Sequence, residues 1–270
     1  MAVQNMDADF QDRKIIDALS QKFMAVKDRT NTAGEWMLRL GRYFLGTPYA
    51  AGTLEKEGPE ALVINLRQFD CFTLVENIVA LTRLLPSGHA SFDRYEETLT
   101  SIRYRRGRLD GYASRLHYFS DWLFDNQRKG IVTNISGALD GQPFPKKIDF
   151  MTGHRDQYPA LTDRNVYRQM QTVERRIQRR AGCYIPKASV SKIGNQIANG
   201  DLIAVTPHTE GLDVVHVGIA VHVKQKLHLL HASSHAGRVI LSAETLNRYL
   251  DASDNRTGIM VARVVDFVKP

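Results

Sequence analysis

The chain has 270 residues, 43% of them hydrophobic and 24% charged, which is the balance of a folded protein long enough to bury its own core. Its two cysteines, Cys71 and Cys183, exclude a disulfide framework and an all-cysteine zinc site, and no apolar run approaches the ~18 residues needed to cross a bilayer. The formal charge is +7, concentrated in two arginine-rich stretches: residues 160–190 hold seven cations against two anions, and residues 101–117 hold five against one.

The first fourteen residues, MAVQNMDADFQDRK, carry no apolar stretch behind a basic one, so no signal peptide is visible, although one could have been removed. From residue 9 to 28 the apolar positions Phe10, Ile15, Ile16, Leu19, Phe23 and Met24 recur at helical spacing. A second helix is predicted from Thr32 to Leu45, ended by Gly46, Thr47 and Pro48. An irregular Gly- and Pro-containing stretch leads to FDCFTLVENIVALTRLLPSG, whose apolar residues from Phe72 to Leu85 predict a buried helix stopped by Pro86, Ser87 and Gly88. Residues 91–105 and 114–128 read as two further helices, 131–162 as short strands and turns, and 163–180 as a basic amphipathic helix. The last third changes period. DLIAVTP, DVVHVGIAVHV, KLHLLHASS, RVILS and GIMVARVVDFV are short runs rich in Val, Ile and Leu that predict antiparallel strands, with a short helix over 243–251. Helices first and strands later predict an α+β fold.

The chain lacks a Walker loop, GxGxxG, HExxH, GxSxG and an EF-hand loop. What remains is a cysteine and a group of histidines. Cys71 stands where a loop enters a helix, with Asp70 in the N-cap position. Free N–H groups and the positive end of the helix dipole there favour a thiolate and could hold an oxyanion. A small buried structural cysteine is the alternative. In DVVHVGIAVHV, alternation puts Val214, His216, Gly218, Ala220 and His222 on one face and Val215, Val217, Ile219, Val221 and Val223 on a core face. The small residues beside His216 leave room for another backbone, and the helix carrying Cys71 is a candidate for it. A hairpin turning at Val223–Lys224 would set His231 opposite His216, where it could orient the imidazole.

The run YFLGTPYAAGTLE…EALVINLRQFDCFTLVENIVAL, continued by SRLHYFSDWLFDN, NGDLIAVT, GLDVVHVGIA and LLHASS, resembles the N-acetylmuramoyl-L-alanine amidase-like family, within the wider NlpC/p60 group of papain-like cysteine hydrolases. The resemblance covers roughly residues 35–250. It implies Cys71 as nucleophile, His216 as base, His231 as the polar third member, and Tyr49 as an aromatic lining the cleft. It also implies a papain-like core in which the helix carrying the cysteine packs on an antiparallel sheet. Residues 1–270 then form one domain, with an N-terminal helical extension (1–30) and a mainly helical insertion (86–198) that should wall the cleft. FDCFT stands where the simplest members have a DCSG-like run. Asp70, His117 and Trp122 are candidate substrate-binding residues, though His117 and Trp122 could equally be core and surface. Arg103, Arg105, Arg106, Arg108 and Arg115 offer at least one fork for a substrate carboxylate.

The expected function is a cysteine amidase acting on peptidoglycan or muropeptides in the periplasm or cell envelope, cutting between N-acetylmuramic acid and L-alanine without cofactor or metal. An endopeptidase cutting within the stem peptide is the alternative in the same class. From other classes, the arginine clusters could serve a nucleic-acid-binding module, but no reader motif or interleaved aromatic supports one. His228, His231 and Asp213 could serve a metallohydrolase, but their spacing is poor for it. Nucleic acid and membrane insertion are not expected.

Overall fold

A computed structural model describes residues 2–24, 32–88, 90–180 and 182–266. Helix α1 (Ala2–Met24) is followed by α2 (Ala33–Tyr43). Thr32 caps α2 with its hydroxyl while Glu35 reaches back to the Thr32 N–H, a reciprocal capping box. Asp70 and Thr73 make the same exchange at the start of α3 (Cys71–Leu84), so the cysteine occupies the first helical position. Helices α4 (Phe92–Arg103) and α5 (Phe119–Arg128) complete the first helical layer. The helix expected over 114–128 begins only at Phe119. The residues before it are held extended, with Arg115 bridged to Tyr104 and the Leu116 N–H donating to the Arg103 carbonyl.

After strands β1 (Val132–Asn134) and β2 (Gln142–Pro143) come α6 (Phe150–Gly153), α7 (Arg164–Gln178), β3 (Cys183–Pro186) and α8 (Lys187–Ile193). The sheet-forming third supplies β4 (Leu202–Pro207), β5 (His216–Val223), β6 (Lys226–Ser233), β7 (Arg238–Thr245), α9 (Leu246–Asp251) and β8 (Arg256–Val264). All strand pairs are antiparallel, in the order β2-β3-β8-β4-β5-β6-β7, with β1 also on β8. The fold is α+β with helices on both faces of the sheet. The expected strand at 258–268 ends at Val264, and its last two residues lie outside the described residues, as do 25–30 of the predicted N-terminal extension.

Alternation along the strands builds the two layers. Val217, Ile219 and Val221 of β5 pack with Leu74, Val75 and Ile78 of α3, whereas Ala220 joins Val190 of α8 and Leu246 and Leu250 of α9. The helix carrying Cys71 therefore covers the valine face, not the small-residue face as the sequence suggested. A Cβ at Gly218 would come within 2.7–2.9 Å of the Leu229 side chain and the Leu230 carbonyl, so the space beside His216 is taken by the neighbouring strand. Val215, expected in the core, precedes β5 and is exposed.

The β5–β6 hairpin turns at Lys224–Gln225, one residue later than expected, with φ of 47° and 64°. Two left-handed residues make the turn that fits strand twist, here without the usual Asn-Gly. His216 and His231 consequently lie diagonally rather than directly opposite, still on one face because the register moved by an even number of residues. A third apolar cluster, built around Tyr118, Met151, Leu161, Met170 and Ile177, gives residues 112–177 their own packing. Buried Glu174 ties it together, accepting from the Tyr118 hydroxyl at 2.7 Å and the Thr152 N–H at 3.1 Å.

Candidate active site

Cys71 is partly exposed, but its sulfur sits in dense surroundings and meets three backbone N–H groups: its own, that of Phe72 and that of Val217. The first two follow from the helix start, where amides have no partner within the helix. The third follows from the hairpin. Pairing of β5 with β6 ends at Ile219↔Leu230, and beyond it the Val217 N–H is directed to the sulfur. Burial pushes the Cys71 thiol up to about 12, with the Asp70 carboxylate adding to the rise and the three amides opposing it. The helix start was expected to yield a thiolate. Desolvation outweighs it, and the resting group is a thiol.

His216, the residue before Val217, shares a 2.7 Å hydrogen bond between its Nε2 and His231 Nδ1, the rings meeting edge-on at 4.8 Å. Burial holds both imidazoles neutral. It lowers His216 to about 3, helped by His231 and the Arg256 guanidinium. It lowers His231 to about 4, where the Glu244 carboxylate raises it against Arg256. The ring of Tyr249, on α9, lies 5.8 Å from His216 and 5.6 Å from His231, with the Arg256 guanidinium 3.9 Å over its other side. Its phenol is raised, mainly by burial and also by Cys71, which puts it in the same site. Sequence reasoning missed Tyr249, since only the short helix that carries it was visible.

Tyr49 is placed by a strap. Its N–H donates to the Gly237 carbonyl, the Phe69 N–H donates to the Pro48 carbonyl, and the Ala50 N–H donates to Phe69. The Tyr49 phenol is raised by burial first, then by Cys71 and Asp70. Tyr49, Asp70, Cys71, His216, His231 and Tyr249 thus come together from five separate stretches of chain. A thiol, paired neutral imidazoles and convergent amides are equipment for nucleophilic acyl transfer.

The sequence model of the AmiA-like, N-acetylmuramoyl-L-alanine amidase-like family matches residues 39–259, a span that contains Tyr49, Cys71, His216, His231 and Tyr249. The chain belongs to this amidase-like family. A solved N-acetylmuramoyl-L-alanine amidase from Bacteroides uniformis is 38% identical, with 86% of this chain and 98% of that one covered at a TM-score of 0.82. A Bacteroides fragilis structure named for xylanase is 36% identical, covering 84% of this chain and 100% of that one at 0.79. A Legionella pneumophila protein at 24% identity, covering 98% and 96% with a TM-score of 0.68, shares the fold. No curated protein matches.

In this amidase-like chain a pocket of about 190 Å³ opens beside the Cys71 helix start. Asp70 and His117 line it, and Leu116, Tyr118, Phe150 and Tyr158 wall it from the segment after α4. His117 is held neutral by burial and by Arg115, with its Nε2 2.9 Å from the Tyr112 carbonyl. Trp122 does not reach the pocket. It is fully buried, stacked 5.2 Å from Phe119 and edge-on to Phe72, so it packs the core beneath the wall.

The arginines also divide differently from expectation. Arg103 and Arg115 line the pocket, but Arg103 donates to buried Glu76 at 2.8 Å, and Arg115 lies 2.8 Å from Glu55 and 3.1 Å from Glu60. These guanidinium groups are already matched by protein carboxylates and offer no unclaimed fork. Arg105, Arg106 and Arg108 face a different depression. His228 and Asp213 stand apart from His231: His228 Nδ1 pairs with the Ser242 carbonyl, and Asp213 accepts from the Ser120 and Val214 amides. Among the described residues no three His, Cys, Asp or Glu side chains gather as a metal site, and no helix is long and apolar enough to cross a membrane. Cys183 is a free thiol on β3.

Proposed function

We propose that the protein is a papain-like cysteine amidase of the NlpC/p60 type that hydrolyses peptidoglycan or muropeptides between N-acetylmuramic acid and L-alanine, in the periplasm or cell envelope. One observation carries the reading: a cysteine at a helix start, ringed by amides that include the N–H of Val217, the residue that follows a histidine hydrogen-bonded through Nε2 to a second histidine. The bond cleaved is taken from the family and from the named activity of the Bacteroides uniformis relative.

The hydrogen bond accommodates the tautomer this chemistry needs. With His216 Nε2–H donating to the His231 Nδ1 lone pair, His216 Nδ1 carries a free lone pair and is the nitrogen left for the thiol. His231 then bears its own proton on Nε2. Because thiol and imidazole are both neutral at rest, the proton moves as the sulfur attacks rather than beforehand. Sγ bonds to the lactyl carbonyl carbon, its proton passes to His216 Nδ1, and the carbonyl oxygen becomes an oxyanion held by helix-start amides. The C–N bond breaks as His216 returns the proton to the L-alanine nitrogen. Water, deprotonated by His216, opens the thioester and restores the thiol. No step requires a cofactor. The helical insertion over 86–198 serves as the wall that selects the substrate.

Mass spectrometry of products from a defined disaccharide-peptide tests the reading. Release of an intact stem peptide with a free L-alanine amine is expected. A cut inside the peptide would favour the endopeptidase, and a cut glycan would overturn the amide reading.

A further inference from the structure

Two arginine clusters more than fifty residues apart in sequence fold onto one concave face. Arg105, Arg106 and Arg108 follow α4, and Arg168 and Arg176 project from α7; together they line an open depression of about 840 Å³ whose single acid is Asp110. Arg168, Thr172 and Arg176 repeat every four residues, so they form one stripe along the helix, with the two guanidinium roots ~12 Å apart. Among the described residues no carboxylate forms an ion pair with the guanidinium group of Arg106, Arg108, Arg168 or Arg176, whereas those of the neighbouring Arg103, Arg105, Arg115 and Arg180 are each matched to an acid.

The backbone adds a separate observation. Arg106 has φ of 56°, in the left-handed region where a residue with a Cβ is disfavoured, and it is locked there by the Asp125 carboxylate, which accepts its N–H at 3.1 and 3.2 Å. Asparagine or glycine would take that backbone at lower cost. A conformation that holds an arginine toward the depression, among like charges, points to an anion as the missing partner.

We infer that this face is a binding site for a polyvalent oxyanion of the phosphate type. Arginine forks grip phosphate oxygens in pairs. The depression has no aromatic residue to stack a base and no large apolar side chain to enter a bilayer, and it is concave, which favours a compact soluble phosphate group over a strand or a membrane. No residue lines both this depression and the pocket beside Cys71, so the site stands independently of the catalytic reading.

Titration calorimetry with inorganic tripolyphosphate at physiological salt tests the inference on the whole chain. Binding should weaken at least tenfold in Arg168→Gln/Arg176→Gln and stay unchanged in Arg164→Gln/Arg179→Gln, which removes the same charge from elsewhere along that segment. Arg106→Asn keeps the left-handed turn yet should also lose binding, without loss of thermal stability. Absence of binding, or equal weakening in both double variants, would overturn the site. So would cosedimentation with phosphatidylglycerol vesicles, or binding to single-stranded DNA, that tripolyphosphate does not displace.

Discussion

At Cys71 two opposing effects act on one sulfur. Helix-start amides and the Val217 N–H lower its proton affinity, and burial beside the Asp70 charge raises it further than they lower it. Iodoacetamide should therefore label Cys71 slowly near neutrality, with a rate still climbing through pH 9, and peptide mapping would follow this. A rate already saturated at pH 6 would mean a preformed thiolate. In the proposed mechanism His231 acts through His216, so His231→Ala should lose about ten- to a hundredfold in kcat and keep more activity than Cys71→Ala. His231→Asn or His231→Gln, still able to accept the His216 proton, should recover part of the loss. The places of Cys71 at a helix start and of His216 and His231 on neighbouring strands were legible because loop-to-helix placement and strand alternation are local signals. The protonation state was not, because desolvation depends on packing from α3, β5 and α9 that no short stretch encodes. The same limit hid Tyr249 and the acids that claim Arg103 and Arg115.

Element boundaries followed the sequence where caps and apolar period agreed, as at Thr32 and at Asp70. They departed where a tertiary hydrogen bond decided, as at Arg115, pulled out of helix by Tyr104 and Arg103. The β5–β6 turn was misplaced by one residue because Lys224 and Gln225 carry no turn signal yet both adopt positive φ. Replacing them with Asn-Gly should stabilise the protein by about 0.5–1 kcal/mol, seen as a higher midpoint in urea, since those residues take this turn without strain. A lower midpoint would show that their side chains do something the backbone does not reveal. Trp122, a pocket candidate in the sequence, is an element of the core instead. Trp122→Ala should cost about 3–5 kcal/mol of stability, and a folded, fully stable variant would contradict that placement.

For the whole molecule, buried neutral histidines tie folding to pH, His117 acting in the same direction as His216 and His231. Folded His216 and His231 resist protonation until about pH 3 and 4, whereas unfolded histidine binds a proton near 6.5. Below that value the unfolded chain binds more protons, so stability falls as pH drops from about 6.5 toward 4, by up to about 1.4 kcal/mol per pH unit for each group. The carboxyl groups of Glu60, Glu76 and Asp213, raised chiefly by burial, contribute oppositely, favouring the fold in acid. The comparison must therefore be a difference: denaturation of His216→Gln/His231→Gln should show a shallower loss over this range than the unaltered protein, and parallel curves would refute the assignment. The α+β order of helices then strands was readable from the change in hydrophobic period. The joining of the 101–117 and 160–190 clusters into one face was not, since it depends on how α7 docks beside the turn after α4.

Turnover of a defined disaccharide-peptide by Cys71→Ala, compared with the unaltered protein at equal folded concentration by circular dichroism, decides whether Cys71 is the nucleophile of an amide hydrolase. If Cys71 is the nucleophile, kcat falls by about a thousandfold or more with the fold intact. Retention of activity within tenfold by the folded variant would contradict it.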